Sequence, residues 1–519
     1  MYATFYTEGA LNYDRSFGKH TVGGMVITTM RNYASGNMSS LQLSLPARNQ
    51  GLSGRFSYGY DNRYLAEFNF GYNGSERFAE NSRFGFFPSF GAGYVVSNEK
   101  FFEPLLNVIN SLKLRATYGF VGSDQIGNSS DRFFYLSEVS MNDANYGATF
   151  GELYGYNRPG VLVSRYANPN ITWERSEQVN LGLDLRLFKA WELNIDVYRN
   201  HRTNILSGRT YIPSTMGLQA SIIANTNEGQ SQGLDVMTTF NKDFGGGWST
   251  QLRGNFTYAT SKVLKYDEPS YPNNEWYRSR VGSSMSQRYG YIAERLFVDD
   301  NEAINSPIQF GGRPGISTGG SYGGGDIKYR DVNDDGVINS QDRVPIGLPT
   351  SPEIIYGFGG TIAYKSVDFS FFFQGSARSS FFINSENIAP FVLNGGSQNA
   401  LLKVIADSYW SEDKRNLYAM WPRLSEHFVS NNSRETVAGE TSTWWMRNGN
   451  FLRFKNVELG YNPKPTLVRR FGLNSARVYL NATNLVVWSN FKMWDPEMGG
   501  SGLGYPIQSV YNMGIQLTF

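Results

Sequence analysis

From Val179 to Leu187 every odd position is aliphatic and every even position is polar or glycine, and Trp191–Val197 repeats the phase after a Phe-Lys-Ala turn. A strand turns successive side chains to opposite faces, so each segment has one apolar and one polar face. Asn180, Asp184, Arg186, Glu192, Asn194 and Asp196 are therefore expected on one face, and Leu181, Leu183, Leu185, Leu193 and Ile195 on the other. The same period runs through 52–60, 65–72, 112–120, 234–240, 248–258, 356–364, 367–373 and 511–519, and less cleanly through 2–14, 19–32, 84–97, 450–461 and 474–488. In 451–461 the phase slips near Lys455-Asn456, as a β-bulge makes it do. This predicts about fifteen strands and no helical layer.

The connections alternate in length. Short ones fall at 14–19, 61–63, 188–191, 241–247 and 365–367, with 98–110 and 462–473 somewhat longer. Between them lie 33–50, 76–83, 122–172, 205–231, 262–353, 380–449 and 489–505, most of them long. Soluble domains rarely carry connections beyond about 12–15 residues without structure of their own. Tight turns at one end and long loops at the other are the layout of an outer-membrane β-barrel. The expected class is an all-β, antiparallel transmembrane barrel wall, with 262–353 and 380–449 as long extracellular loops. Counting back from the last strand, the strand at 2–14 runs downward, whereas a closed bacterial barrel begins upward with an even strand number. Together with a start, Met1-Tyr-Ala-Thr-Phe-Tyr6, that has neither a basic nor an apolar leader region, this leads us to expect 1–519 to be the C-terminal part of a larger barrel.

Composition closes off other classes. Aromatic residues make up 15% of the chain and charged residues only 18%, against roughly 25% charged in an average soluble protein. The formal net charge is +2, which supplies no basic field for nucleic acid. Cysteine is absent, so disulfides, thiolate metal sites and Cys nucleophiles are excluded, and the three histidines lie far apart. Mean hydropathy is −0.40, which a barrel wall tolerates because lumen-facing and lipid-facing residues average out. A soluble all-β binding or structural protein is the alternative class.

Few segments carry chemistry. Asp331, Asn333, Asp335, Val337, Asn339 and Asp342 fall at the ligand positions of a twelve-residue calcium loop, with Gly336 at its sharp turn and Val337 offering a carbonyl. The last position is Asp rather than Glu and the flanks read as extended, so an acidic turn held by Asx hydrogen bonds is the competing reading. The Gly-rich run 311–325 lacks the Lys-Ser/Thr of a phosphate cradle and is expected to be a flexible loop. Adjacent carboxylates such as Asp299-Asp300 point to opposite faces of an extended chain, and no catalytic constellation is found. Loop aromatics (Tyr146, Tyr154, Tyr156, Tyr271, Trp276, Tyr277, Tyr409, Trp410, Trp421, Trp444 and Trp445) are candidates either for ligand stacking or for packing loops together. Trp191, Trp248, Tyr258, Tyr364 and Tyr461 sit near strand ends, where an interfacial girdle belongs. The row Tyr511, Met513, Ile515, Leu517 and Phe519 is expected to face lipid and to serve in assembly.

Several stretches together resemble the SusC/RagA-type TonB-dependent outer-membrane transporters of Bacteroidota. They are Asn168-Pro-Asn-Ile-Thr-Trp173-Glu174, the run Gly325 to Arg343, Ser408-Tyr-Trp410 with Trp421-Pro-Arg-Leu424, Phe451 to Tyr461, Asn484-Leu485, Asp495-Pro-Glu497, and Tyr505 through Phe519. The resemblance implies a 22-stranded barrel in a Gram-negative outer membrane, of which this chain holds about the last fifteen strands. It also implies an N-terminal plug and TonB box beyond this chain, a SusD-like lipoprotein lid, and TonB-driven import of oligosaccharides or peptides. A non-transporting scaffold of the same fold remains the competing function. The sequence assigns no substrate-binding residues.

Overall fold

Fifteen strands of the computed structural model hydrogen-bond in chain order into one antiparallel sheet. The structure describes all residues except 1, 37–40, 128–132, 316–320, 392, 395, 396, 399, 426–430 and 433–440. The strands are β1 (Tyr2–Phe17), β2 (His20–Ser35), β3 (Ala47–Tyr60), β4 (Tyr64–Ser75), β5 (Phe84–Val95), β6 (Ile109–Ser123), β7 (Glu174–Leu187) and β8 (Trp191–Gly208). They continue as β9 (Ile223–Gly245), β10 (Trp248–Lys265), β11 (Ile354–Tyr364), β12 (Val367–Ala377), β13 (Phe451–Tyr461), β14 (Ser475–Ser489) and β15 (Val510–Thr518). Each corresponds to one segment of alternating sequence, and most extend beyond it on the long-loop side. No helix among the described residues is long and apolar enough to cross a membrane.

Two units partition the chain, Met1–Asp235 with Ser261–Ser270, and Val236–Thr260 with Tyr271–Phe519. In the first, β7 and β8 pair with Asp184 opposite Asn194, Leu183 opposite Ile195 and Leu185 opposite Leu193. The phase of the sequence is thus the phase of the pleat. The turn between them places both Phe188 and Lys189 at positive φ, 52° and 56°. Within this three-residue connection the Ala190 amide donates to the Leu187 carbonyl, closing a β-turn whose two central positions both need that geometry to match strand twist, and neither residue type favours it. The β3–β4 turn uses Asp61 and Asn62 at 54° and 52°, which are better suited. In the second unit the expected bulge is present: the register of β13 against both β12 and β14 skips across Lys455.

The wall contributes little buried core. On the expected apolar phase its side chains stay open, with Leu181 59%, Val197 52% and Leu480 53% exposed. Apolar surface of this extent marks an interaction or membrane face. The buried apolar residues gather in the long connections instead. One cluster holds Phe78, Ile126, Phe134, Ile171 and Trp173 in the first unit. A larger one in the second unit includes Tyr291, Leu296, Ile327, Trp410, Trp421 and Trp445. The connection 122–172 also contains a hairpin, Glu138–Phe150 paired with Tyr156–Arg165, whose register shifts three times. That irregularity hides the period-two signal, which is why the sequence reads it as loop. Of the Gly-rich run 311–325, expected to be a flexible loop, residues 316–320 lie outside the described residues, and its end, 322–325, is buried, with Tyr322 1% exposed. A Cβ on Gly325, whose φ is +81°, would stand 2.3 Å from the Trp410 ring, so only glycine fits there.

Candidate functional site

On the polar face of β6, β7 and β8 the charged residues are joined by one arginine. The Arg115 guanidinium donates to both carboxylate oxygens of Asp184 at 2.9 Å and to Asp196 at 3.0 Å. Asn194 donates to Asp184 at 2.8 Å. Gly182 makes room for this arrangement, because a Cβ there would lie 2.6 Å from the guanidinium carbon. Of the six polar residues expected on this face, the structure joins Asp184, Asn194 and Asp196. Arg186 and Glu192 form a separate pair at 3.5 Å, and Asn180 stands in register with Tyr198. Arg115 escaped the sequence reading. Its phase within 112–120 marks it as polar, but its partner lies 69 residues away. The second unit repeats the device: Arg477 donates to both oxygens of Asp368 at 2.9 and 2.8 Å and to Glu458 at 2.6 Å. There Gly460 makes the room, with a Cβ falling 2.5 Å from the guanidinium.

The last long connection is clamped from the wall. Arg453 on β13 is 2% exposed. It donates to both oxygens of Asp495 at 2.6 Å and to Glu497 at 2.5 Å. In the first unit Asn168 donates to the Ile223 carbonyl and Trp173 to the Ser82 carbonyl, while Glu174 accepts from the Leu206 amide. These motif residues therefore tie loop bases together.

Within the folded connection of the second unit, Asp326 is fully buried and accepts from Arg423, Asn432 and the Gly323 amide. Burial pushes its carboxyl up, and Arg423 opposes the shift. Glu302 is also raised by burial, but Arg295, the Val298 amide and Lys328 outweigh that and hold it at about 2. In 331–342 the side chains bend back onto the turn. Asp331 accepts from the Gly336 amide at 2.7 Å, Asp335 from Val337 at 2.8 Å, and Asn333 donates to Asp335 at 3.0 Å. Asp342 is buried and accepts from the Val332 and Asn339 amides, both at 2.8 Å; Asn339 accepts from Gln341. Burial raises the Asp342 carboxyl. The flanks Ile327–Tyr329 and Val344–Ile346 are extended, as expected. Among the described residues no group of three or more His, Cys, Asp or Glu is arranged to hold a metal; the oxygens of 331–342 that could do so include Asn333, Asn339 and the Val337 carbonyl.

The loop aromatics divide into two roles. Trp410, Trp421, Trp445 and Tyr277 are buried and pack the loops, whereas Tyr154 at 75% and Trp276 at 72% stand open. Tyr146 and Tyr156 are also exposed, on the irregular hairpin. At the short-turn end Trp248 stacks on Tyr364 with ring centroids 4.3 Å apart, and Tyr64 stacks on Tyr94 at 5.2 Å. On β15, Tyr511, Met513, Ile515 and Leu517 are exposed along one row, and Phe519 follows at 82%.

A family model described as TonB dependent receptor-like, beta-barrel, matches residues 2–485. The TonB-dependent receptor P26 of Formosa agariphila is 26% identical over 90% of this chain and 46% of its own length. The TonB-dependent receptor SusC of Bacteroides thetaiotaomicron is 26% identical over 90% of this chain and 43% of its own. The chain thus spans about half the length of the curated relatives it matches. Among solved structures, the RagAB peptide importer in its closed-closed state covers 99% of the chain and 55% of its own at TM-score 0.67 and 21% identity, a likeness of fold.

Proposed function

We propose, from the premise that this chain belongs to the TonB-dependent receptor-like β-barrel family, that it is the wall and loop portion of a nutrient importer of the outer membrane. The observation that carries the reading is the wall itself. Its two phases differ in chemistry, most plainly in β7 and β8, where one is aliphatic, for lipid, and the other charged and hydrogen-bonded, for a polar interior. Asn180, Asp184, Arg186, Glu192, Asn194 and Asp196 are assigned to the lumen on this reading. The ion-paired arginines leave a polar but largely neutralised surface, suited to passage of uncharged or zwitterionic solutes such as oligosaccharides or peptides.

Recognition falls to the long loops. The exposed rings of Tyr146, Tyr154, Tyr156 and Trp276 offer faces for sugar rings or for a covering lipoprotein. A SusD-like lid and TonB as energy source complete the proposal for the intact protein. In 331–342, calcium held by Asp331, Asn333, Asp335, Asp342 and the Val337 carbonyl would cross-link the connection structurally, because each bent-back oxygen keeps a lone pair beyond its amide bond. The test is growth of the native host on candidate oligosaccharides and peptides, with the gene deleted or with TonB inactivated. Loss of uptake in both strains supports import; uptake that persists without TonB refutes it.

A further inference from the structure

The apolar face of β4 to β8 is not level. Its registered rows run across the strands. Tyr64, Tyr94 and Leu114 face one another in the row beside the short turns, and Phe68, Phe90 and Tyr118 in a row further along. The row between them is Ala66, Ala92 and Ala116. Three alanines in register between bulky rows form a trough, closed at one end by Tyr58 and continued at the other by Leu181 and Val197. A hollow of about 650 Å³ opens there, with Ala92, Ala116, Tyr94 and Leu183 among its lining. The rings beside it are held in place: Tyr64 and Tyr94 stack at 5.2 Å, and both hydroxyls donate to Glu99 at the turn end. Phe68 and Phe90 stand 4.8 Å apart on the other side.

We propose that this trough is a binding site for one acyl chain of a membrane phospholipid, an inference that rests on reading this face as lipid-exposed. The shape and chemistry argue for a chain rather than a headgroup: the hollow's lining is apolar except for Arg115, whose guanidinium is held by Asp184 and Asp196 on the opposite face, and the charge on this face, Arg199, stands at the β8 end of the outer row, in register with Val179. The depth selects the leaflet. Ala66 lies two residues past the start of β4, roughly 7 Å along the strand from the short turn. The trough therefore opens in the turn-side half of the membrane, just inside the tyrosine belt where phospholipid headgroups meet water. A hollow lined by fixed rings forfeits dispersion contact if left empty, and a flexible acyl chain fills it.

The experiment uses the intact protein purified from outer membranes, stripped with detergent and re-exposed to dioleoyl-phosphatidylethanolamine, with retained lipid read by native mass spectrometry. The wild type is expected to keep one lipid through detergent washing. Ala92→Phe with Ala116→Phe fills the trough, and retention should fall roughly tenfold, the equivalent of about two acyl methylenes losing their contact. Ile362→Phe, on an apolar-face position of β11, should leave retention unchanged. Should the double variant fail to reach the membrane, Ala92→Leu alone should still lower retention severalfold. Equal retention in the wild type and the filled variant overturns the proposal, as does a wild type that keeps no lipid or pairs with a second copy through this trough. Absence of the wild type from the outer-membrane fraction would instead overturn the lipid-exposed reading beneath it.

Discussion

Replacing Arg453 with leucine tests whether the wall and the 489–505 connection are one cooperative unit. Arg453 is 2% exposed and meets Asp495 and Glu497 through short charge-assisted bonds. Removing one partner of a buried ion pair costs about 3–5 kcal/mol, because the remaining charges are left unpaired. Here the carboxylates are 14% and 26% exposed, so they regain part of their hydration when the connection shifts. The expected cost is near the lower end, about 3 kcal/mol. Neutralising the partners as well, with Asp495→Asn and Glu497→Gln, should recover more than half of that loss. The assay is urea unfolding of the protein folded into lipid vesicles, run beside limited proteolysis with cuts mapped to 489–505. Arg453→Leu should sensitise that connection at denaturant concentrations where the wall persists. A loss below about 1 kcal/mol, the scale of a surface pair, would refute the reasoning. So would a triple variant less stable than the single one.

Other outcomes follow from the same structure. Phe188→Asn with Lys189→Gly should stabilise the β7–β8 hairpin by about 1 kcal/mol or more, since both positions sit at positive φ; an unchanged urea midpoint would contradict the turn geometry. Glu302 is held at about 2 against an ordinary value of 4.5. It therefore contributes stability that is present above pH 4.5 and drains away as pH falls toward 2, about 1–2 kcal/mol once solvent screening of this partly exposed group is discounted. Proteolytic protection of 293–329 should track that window, and Glu302→Gln should flatten it. Leu517→Asp or loss of Phe519 should lower membrane-assembled protein far more than Gly311→Ser, read by heat-modifiable gel mobility; normal assembly of both would deny the last strand a role. Asp331→Ala with Asp335→Ala should abolish calcium uptake measured by calorimetry and loosen 331–342 without moving the wall, whereas an unmodified loop that takes up no calcium would leave Asx bonds as its entire function.

How much of this was written in the sequence depends on the range of the interaction. Strands report themselves locally, and even the slip at Lys455 appears as a register shift because a bulge disturbs phase at the residue that causes it. The folded connections depend on partners far apart in the chain. Gln309 bonds to Asn431, 122 residues away, and the Tyr291 carbonyl accepts from the Thr443 amide. No period or spacing announces such pairs. Arg423 and Asp326 are likewise unremarkable as residue types until packing buries them together. The polar network lies between these limits: its members were visible by phase, but the pairing that makes Arg115 its hub was not.

The burial of nearly all core side chains in the connections, and of few in the wall, means that this one polypeptide is stabilised by two different solvents. Trp445, Tyr291 and their neighbours are held by exclusion of water, and the wall by the cost of leaving its apolar rows outside lipid. Denaturant and temperature act mainly on the first, bilayer thickness and composition mainly on the second. Unfolding should therefore not be a single transition. The connections should come apart while the strands remain paired, and a single midpoint would describe neither part.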